Sequence, residues 1–200
     1  MHDKSQKDIS EYSKRFDAIR KLKNVIPQSE RHNYNLLQVE KGGFFRLGGR
    51  LYLVQDIYTY EERNKKGKVT WQWQELELYD IENGMVKYLE LEDDDGLEIT
   101  LSNSEVKIRE LHTNFKNILS IVDNEEGHIK YKDVSYYYED DSKAYFIKSG
   151  KEQVVTLYEF ESDENEYITV EAWGNEADEY EVYHSIPVDE KNVEILTTAS

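Results

Sequence analysis

From residue 36 onward, most of the chain consists of short segments in which polar and apolar residues alternate, with turn residues between them. The clearest segment runs from Val69 to Asp80 and is followed by Asn83-Gly84, a strong signal for a tight hairpin turn. Alternation with a period of two places successive side chains on opposite faces of a strand. The pattern therefore predicts a mainly β fold made of antiparallel strands joined by short turns.

Two segments have helical spacing instead, because their apolar residues recur three and four positions apart and so share one helix face. The first contains Ile9, Tyr12, Phe16, Ile19 and Leu22, and the second contains Leu111, Phe115, Ile118, Leu119 and Val122. The β segments on either side of the second helix follow a similar order of hairpins and acidic turns, which indicates an internal repeat.

These patterns predict two related antiparallel sheets, or half-barrels, with an N-terminal helix and a short central helix. We expect the two β blocks to share contacts, since no flexible linker separates them. The predicted units are an N-terminal amphipathic helix (1–27), a first β subdomain (28–110), a connecting helix (111–124) and a second β subdomain (125–200).

The N-terminal helix is basic, although the chain as a whole is strongly acidic. Residues 1–23 contain seven Lys and Arg against four acids, whereas the whole chain has a net charge of −17. A basic amphipathic helix can dock on an acidic body with its apolar face inward, or it can contact a membrane surface or a partner. We expect the docked arrangement and keep peripheral membrane contact through this helix as the alternative.

Composition excludes several kinds of chemistry. A net charge of −17 repels phosphate backbones, so we expect no direct binding of nucleic acid. The chain has no cysteine, which excludes thiolate catalysis and cysteine-ligated metals. Its five histidines are far apart and the usual motifs of nucleophilic catalysis are absent, so we expect no metal, no cofactor and no enzymatic activity. The polar N-terminus has no signal-peptide pattern, which predicts a cytoplasmic protein.

The segment from Val69 to Asp80 contains the candidate ligand-binding residues Trp71, Trp73 and Glu75, which share one face of the predicted strand. The apolar side of the strand changes near Glu75, a pattern typical of a bulge or of a change in packing environment. A carboxylate beside indole rings is a candidate for a desolvated acid or a ligand-binding group. The alternative, which we favour at this point, is a structural acid that accepts backbone amides at a bulge.

The stretch Trp73-Gln74-Glu75-Leu76-Glu77-Leu78, preceded by Gly48-Gly49-Arg50-Leu51-Tyr52-Leu53-Val54 and followed by Tyr88-Leu89-Glu90-Leu91-Glu92, resembles the bacterial domain-of-unknown-function family 4178. Leu76 and Tyr88 depart from that family's pattern, which has Tyr and Trp at these places, but both positions keep a large side chain. The resemblance covers about residues 36–190. It implies an all-β domain without assigned catalysis, whose relatives are often encoded near membrane-stress proteins.

Three functional hypotheses follow. The first is a non-catalytic interaction or scaffold module that binds a protein partner with a basic surface, because opposite charges favour encounter. The second is an acidic mimic of nucleic acid that blocks a basic protein. The third is an enzyme or ligand-binding protein with a site at Trp73 and Glu75, together with His112 or His128. We expect the first of these.

Overall fold

The computed structural model describes residues 2–94, 96–174 and 179–199, with only the backbone of residues 2–9 and 103–105. This part of the chain forms two α-helices, eleven β-strands and a few short 3-10 turns. The helices are α1 (His2–Ile19) and α2 (Phe115–Asn124). The strands are β1 (Phe44–Leu47), β2 (Arg50–Arg63), β3 (Val69–Asp80), β4 (Met85–Asp93), β5 (Leu97–Glu105), β6 (His128–Tyr131), β7 (Val134–Lys148), β8 (Lys151–Glu161), β9 (Tyr167–Trp173), β10 (Glu179–Pro187) and β11 (Val193–Thr197).

All eleven strands belong to one antiparallel sheet in the order β11-β1-β2-β3-β4-β5-β10-β9-β8-β7-β6. An additional pairing joins residues 59–62 of β2 to residues 144–147 of β7. The eight strands from β2 through β5 and from β10 back to β7 therefore close into a ring over part of their length, which we call the strand ring. Strands β1, β11 and β6 extend the sheet beyond this closure.

The apolar cores that cover the strand ring lie on its outer face. In the first outer core, Leu76 and Leu78 of β3 pack with Leu36 and Phe45, which belong to the segments that cover β2 to β5. The second outer core covers the other half of the ring, where side chains of β8, β9 and β10 pack against α2 and β6. Its fully buried members are Ile118, Phe160, Ile168 and Val170. The ring is thus held between two apolar layers.

The predicted fold class is confirmed: the chain is mainly β, with an N-terminal helix and a short central helix. Strand β3 has the same bounds as the predicted strand, Val69–Asp80. The two β blocks are joined by backbone hydrogen bonds into a single sheet at the β5–β10 and β2–β7 pairings. Helix α2 begins at Phe115, after the predicted position 111, because the Asn114 side chain caps it by accepting from the Asn117 amide at 3.1 Å.

The expected orientation of the N-terminal helix is wrong for the residues whose side chains are described. Tyr12, Phe16 and Ile19 were expected to face the body, but they are 69%, 59% and 46% exposed. The helix is attached instead through Ala18 and, after its end, Leu22, which pack against a cluster around β1, β2 and β11. Ile9 lies outside the described side chains. In the described part of the chain, no helix is both long and apolar enough to span a bilayer.

Candidate functional site

The interior of the strand ring is polar, because its residues alternate with the apolar residues of the outer cores. On β3, Leu76 and Leu78 point outward, so Glu75 and Glu77 point into the ring. The same alternation occurs on the neighbouring strands and gathers acidic residues from distant parts of the chain. Ten glutamates on seven strands line the interior: Glu62, Glu75, Glu77, Glu90, Glu92, Glu98, Glu159, Glu171, Glu179 and Glu181.

Three adjoining cavities occupy this interior. The central cavity, of about 210 Å³, is bordered by Glu75, Glu90 and Glu171. The tyrosine cavity, of about 290 Å³, is bordered by Tyr58, Tyr60, Tyr88 and Tyr183. The tryptophan cavity, of about 230 Å³, is bordered by Trp71 and Trp73. Together they fall within the ~300–1,000 Å³ range of small-molecule sites.

Shared lining residues place the cavities in series, with the central cavity between the other two. Glu75, Glu171 and Tyr183 border both the central and the tyrosine cavity. Glu90, Glu92 and Glu159 border both the central and the tryptophan cavity. Glu181, which is exposed, borders only the tyrosine cavity of the three, and Glu62 borders only the tryptophan cavity, so these two glutamates lie at opposite ends of the series. Acidic groups therefore follow the interior from one end to the other.

Several of these glutamates face one another directly across neighbouring strands. The opposed pairs are Glu75 with Glu90, Glu92 with Glu98, and Glu171 with Glu181. Like charges at directly opposed positions of a sheet destabilise it, because their Cβ atoms are only about 5 Å apart. The interior therefore concentrates repulsion that a structural role alone does not require.

Burial and mutual repulsion raise the pKa values of the interior carboxyls. Burial, followed by the charges of Glu159 and Glu92, raises the pKa of Glu90 to about 8. Burial, followed by the nearby charge of Asp140, raises the pKa of Glu159 to about 7. The pKa of Glu75 is raised well above its ordinary value, first by burial and then by Glu171.

Glu75 keeps some accessible surface, which borders the cavities, although protein surrounds it within the ring. Glu171 is 7% exposed, and burial followed by the charge of Glu181 raises its pKa, while a hydrogen bond from Tyr60 opposes the shift. Among the described residues, no side chain donates a hydrogen bond to Glu75. A ligand can therefore approach its carboxyl without displacing a hydrogen-bond donor.

Positive charge is scarce in the interior. Among the described residues that line the three cavities, Lys148 is the only base. Its Nζ donates to the Tyr58 hydroxyl at 2.8 Å and lies 4.5 Å from the centre of that ring. The Tyr58 hydroxyl in turn donates to Glu77. One lysine at the tyrosine cavity therefore faces ten glutamates spread over the whole series.

Aromatic side chains form the wall of the ring at the β2–β7 pairing. Tyr60 stacks on Trp73 with ring centres 5.1 Å apart. Phe146 meets Tyr60 edge-on at 5.2 Å and Trp173 edge-on at 5.3 Å. The buried Nε1 of Trp173, beside the tyrosine cavity, has no hydrogen-bond partner among the described residues. The interior thus offers π faces and one unsatisfied donor beside the carboxylates.

All three residues predicted as ligand-binding line the ring interior. Trp71 and Trp73 border the tryptophan cavity, where the Trp71 indole N–H donates to Glu92 at 2.7 Å. Glu75 borders the central and tyrosine cavities. The pairing of β3 is regular at Glu75, and the nearest bulge lies on β2 between Val54 and Asp56, so Glu75 itself is not at a bulge. The apolar residues of β3 change faces near Glu75 because the strand passes there from the aromatic wall to the first outer core.

The two candidate histidines lie outside the site, whereas several glutamates of the site were not predicted. His112 and His128 are exposed, lie on the turn before α2 and on β6, and border none of the three cavities. Glu90, Glu171 and Glu181, which face Glu75 or one another, are not among the predicted site residues. Their signal is the alternation of acids with Leu and Val on β4, β9 and β10, and an ordinary strand with one solvated side has the same pattern.

The arrangement is suited to binding a cation. Carboxylates supply charge, and tyrosine and tryptophan faces attract cations through the ring quadrupole. A closed ring of eight strands has an interior that either is filled by side chains or holds one small ligand. Among the described residues, no group of three or more His, Asp or Glu side chains has an arrangement that could hold a metal ion.

The fold and the site define a class of protein: an antiparallel strand ring with apolar outer layers and an acidic, aromatic interior. The chain belongs to the family described as domain of unknown function (DUF4178), whose model matches residues 40–190. The match includes every cavity-lining residue named above. No curated protein and no solved structure matches the chain.

The raised pKa values predict an unusual pH dependence of stability. Carboxyls whose pKa is higher in the folded state bind more protons there than in the unfolded chain, so the free energy of unfolding falls as pH rises from about 4.5 to about 8. We expect the melting temperature to fall between pH 5.5 and pH 8.5, as measured by differential scanning calorimetry.

Glu90→Gln should raise the melting temperature at pH 8.5 and make its pH dependence shallower, since it removes a buried group that must ionise. Glu126→Gln is the matched control, because it removes the same charge from an exposed position after α2. A wild-type melting temperature that stays level or rises over this pH range would contradict the interpretation.

Proposed function

We propose that the chain is a non-catalytic binding protein whose strand ring receives a positively charged organic ligand. The observation that carries the proposal is the set of ten interior glutamates, which share the cavities with one lysine and with the faces of Tyr60, Trp73 and Trp173. Repulsion among these carboxylates destabilises the ligand-free protein. A bound cation relieves that repulsion, so its binding stabilises the folded chain.

An organic cation fits the interior better than a fully hydrated inorganic ion does. Aromatic faces bind alkylammonium and guanidinium groups by cation–π attraction, worth about 2 kcal/mol or more when the site is desolvated. The same faces bury methylene groups favourably. The unsatisfied indole N–H of Trp173 can donate to a polar ligand atom.

The other hypotheses are weighed against the same geometry. A partner with a basic surface remains a candidate, since a lysine or arginine side chain could enter the ring from the end that Glu181 borders. A mimic of nucleic acid has less support, because ten glutamates point into the ring, where they cannot form a row on the outer surface. A cytoplasmic location and a link to membrane stress remain predictions that cell fractionation and deletion phenotypes can test.

The tryptophans provide a direct test of ligand binding. The chain has three tryptophans, and all of them border the interior, so fluorescence excited selectively at tryptophan reports on this region. We expect n-butylammonium to produce a saturable change in fluorescence at pH 8, and the neutral 1-pentanol to produce none.

The double variant Glu75→Gln/Glu171→Gln should weaken the binding of n-butylammonium at least about tenfold, through the loss of two carboxylates in the middle of the series. Glu125→Gln/Glu126→Gln removes the same charge outside the ring and should leave the affinity unchanged. Equal responses to the amine and the alcohol would show that the interior does not select charge, and the proposal would then fail.

A second candidate function, peripheral membrane attachment, has support from α1. Its apolar residues Tyr12, Phe16 and Ile19 are exposed, as are Lys14 on the same helix and Arg20 directly after it. Exposed aromatic residues beside bases are typical of helices that lie on anionic lipid. The occupant that complements this surface is therefore an anionic bilayer, with the acidic ring turned away from it.

Vesicle co-sedimentation tests the attachment. The full chain should sediment with phosphatidylglycerol vesicles and not with phosphatidylcholine vesicles, and Tyr12→Ser/Phe16→Ser should reduce the bound fraction several-fold. Tyr137→Ser, at a half-exposed tyrosine far from α1, is the matched control. Equal sedimentation of both variants would exclude α1 as the attachment surface.

A further inference from the structure

The shape of the interior points to a particular class of cation. We propose that the strand ring binds a linear polyamine, with successive ammonium groups along a path of carboxylates and methylene links against the aromatic wall. This inference rests on the proposed function, because it names the ligand class of the same site. It does not follow from that function alone, since a compact cation would also satisfy it.

The first argument is the spacing of the carboxylates. Glu77 and Glu75 are two residues apart on β3, Glu75 is directly opposite Glu90, and Glu92 follows two residues later on β4. Residues two apart on a strand are separated by about 6.6 Å, and opposed residues by about 5 Å. These steps are comparable to the distance between amines joined by three or four methylene groups. We call Glu77, Glu75, Glu90 and Glu92 the carboxylate path.

The second argument is the elongated form of the site. The carboxylate path passes from the tyrosine cavity through the central cavity to the tryptophan cavity. A compact cation would fill one of these cavities and would leave acids in the other two without a charge partner. A chain of several amines places positive charge in each cavity, so its binding relieves repulsion along the whole series.

The third argument is the aromatic wall beside the path. Tyr60 and Trp73 are stacked and buried, and Phe146 and Trp173 continue the wall at the tyrosine cavity. Methylene groups gain about 0.8 kcal/mol each when they leave water, and ammonium groups are attracted by the same rings. The Nε1 of Trp173, which borders the same cavity, is buried and has no hydrogen-bond partner among the described residues.

Isothermal titration calorimetry of the full chain with amines of increasing length tests the inference at pH 8 and about 0.15 M salt, where surface attraction is screened beyond about 8 Å. The affinity should rise at least about threefold per added amine along n-butylammonium, putrescine, spermidine and spermine. Tetramethylammonium, a compact cation, should bind no more tightly than n-butylammonium.

Variants along the series determine whether the amine chain spans it. Glu75→Gln, in the middle, should weaken the binding of every polyamine about tenfold. Glu181→Gln and Glu62→Gln, at opposite ends of the series, should both weaken the binding of spermine, whereas at least one of them should leave putrescine unaffected because the diamine is too short. Glu126→Gln, outside the ring, should change none of these affinities.

The outcomes separate this inference from the proposed function. If tetramethylammonium or n-butylammonium binds as tightly as spermine, the polyamine inference fails and the proposed function stands. If no amine binds, both fail. If Glu75→Gln and Glu126→Gln behave alike, binding is surface screening and the inference is overturned. If a tetralysine peptide binds at least tenfold more tightly than spermine, the ligand is a basic protein segment instead.

Discussion

Repulsion among the glutamates inside the strand ring is the constraint on which the rest of the structure depends. Two carboxylates about 5 Å apart repel each other by about 3 kcal/mol at an effective dielectric constant of 20. Burying one leucine or phenylalanine side chain contributes about 1.5–3 kcal/mol in the opposite direction. The ring can therefore hold opposed pairs such as Glu75 with Glu90 only because apolar side chains on its outer face stabilise it. This balance explains why the cores lie outside the ring, beneath α2, β6 and the segments around β1 and β11.

Three tyrosines contact both the glutamates and the aromatic residues of the interior. Tyr58, Tyr60 and Tyr183 donate their hydroxyls to Glu77, Glu171 and Glu181, respectively, while their rings contact neighbouring aromatic residues. A phenylalanine at these places would keep the packing but would leave a carboxylate without its donor. The abundance of tyrosine in the chain thus has a local explanation at these three sites, since each ring has one apolar surface and one polar end to satisfy.

The strands could be predicted from the sequence because their signal is local, and the site could be predicted only in part because its assembly is not. Strand β3 is recognisable from alternation alone, and Trp71, Trp73 and Glu75 are found on its inward face. The partners of Glu75 come from β4 and β9, up to about a hundred residues away. Pairings between such distant strands cannot be recognised from the residue pattern within one strand. The inward orientation of the polar side chains could not be predicted either, because an alternating strand has the same sequence pattern whether its polar side faces solvent or an enclosed interior. For α1, the apolar spacing predicted a helix correctly, but spacing cannot distinguish a docked face from an exposed one.

The ionisation of individual glutamates tests the central claim most directly. Carbon-detected NMR of protein labelled with ¹³C at the glutamate carboxyl, titrated from pH 3 to pH 10, follows each side chain, and Glu90→Gln and Glu159→Gln assign two of the resonances. An interior of buried, mutually repelling acids predicts a pKa of about 8 for Glu90 and about 7 for Glu159. If both titrate near 4.5 together with the exposed glutamates, the interior is as well solvated as the surface. The strand ring would then not hold the desolvated carboxylates on which its proposed ligand binding depends.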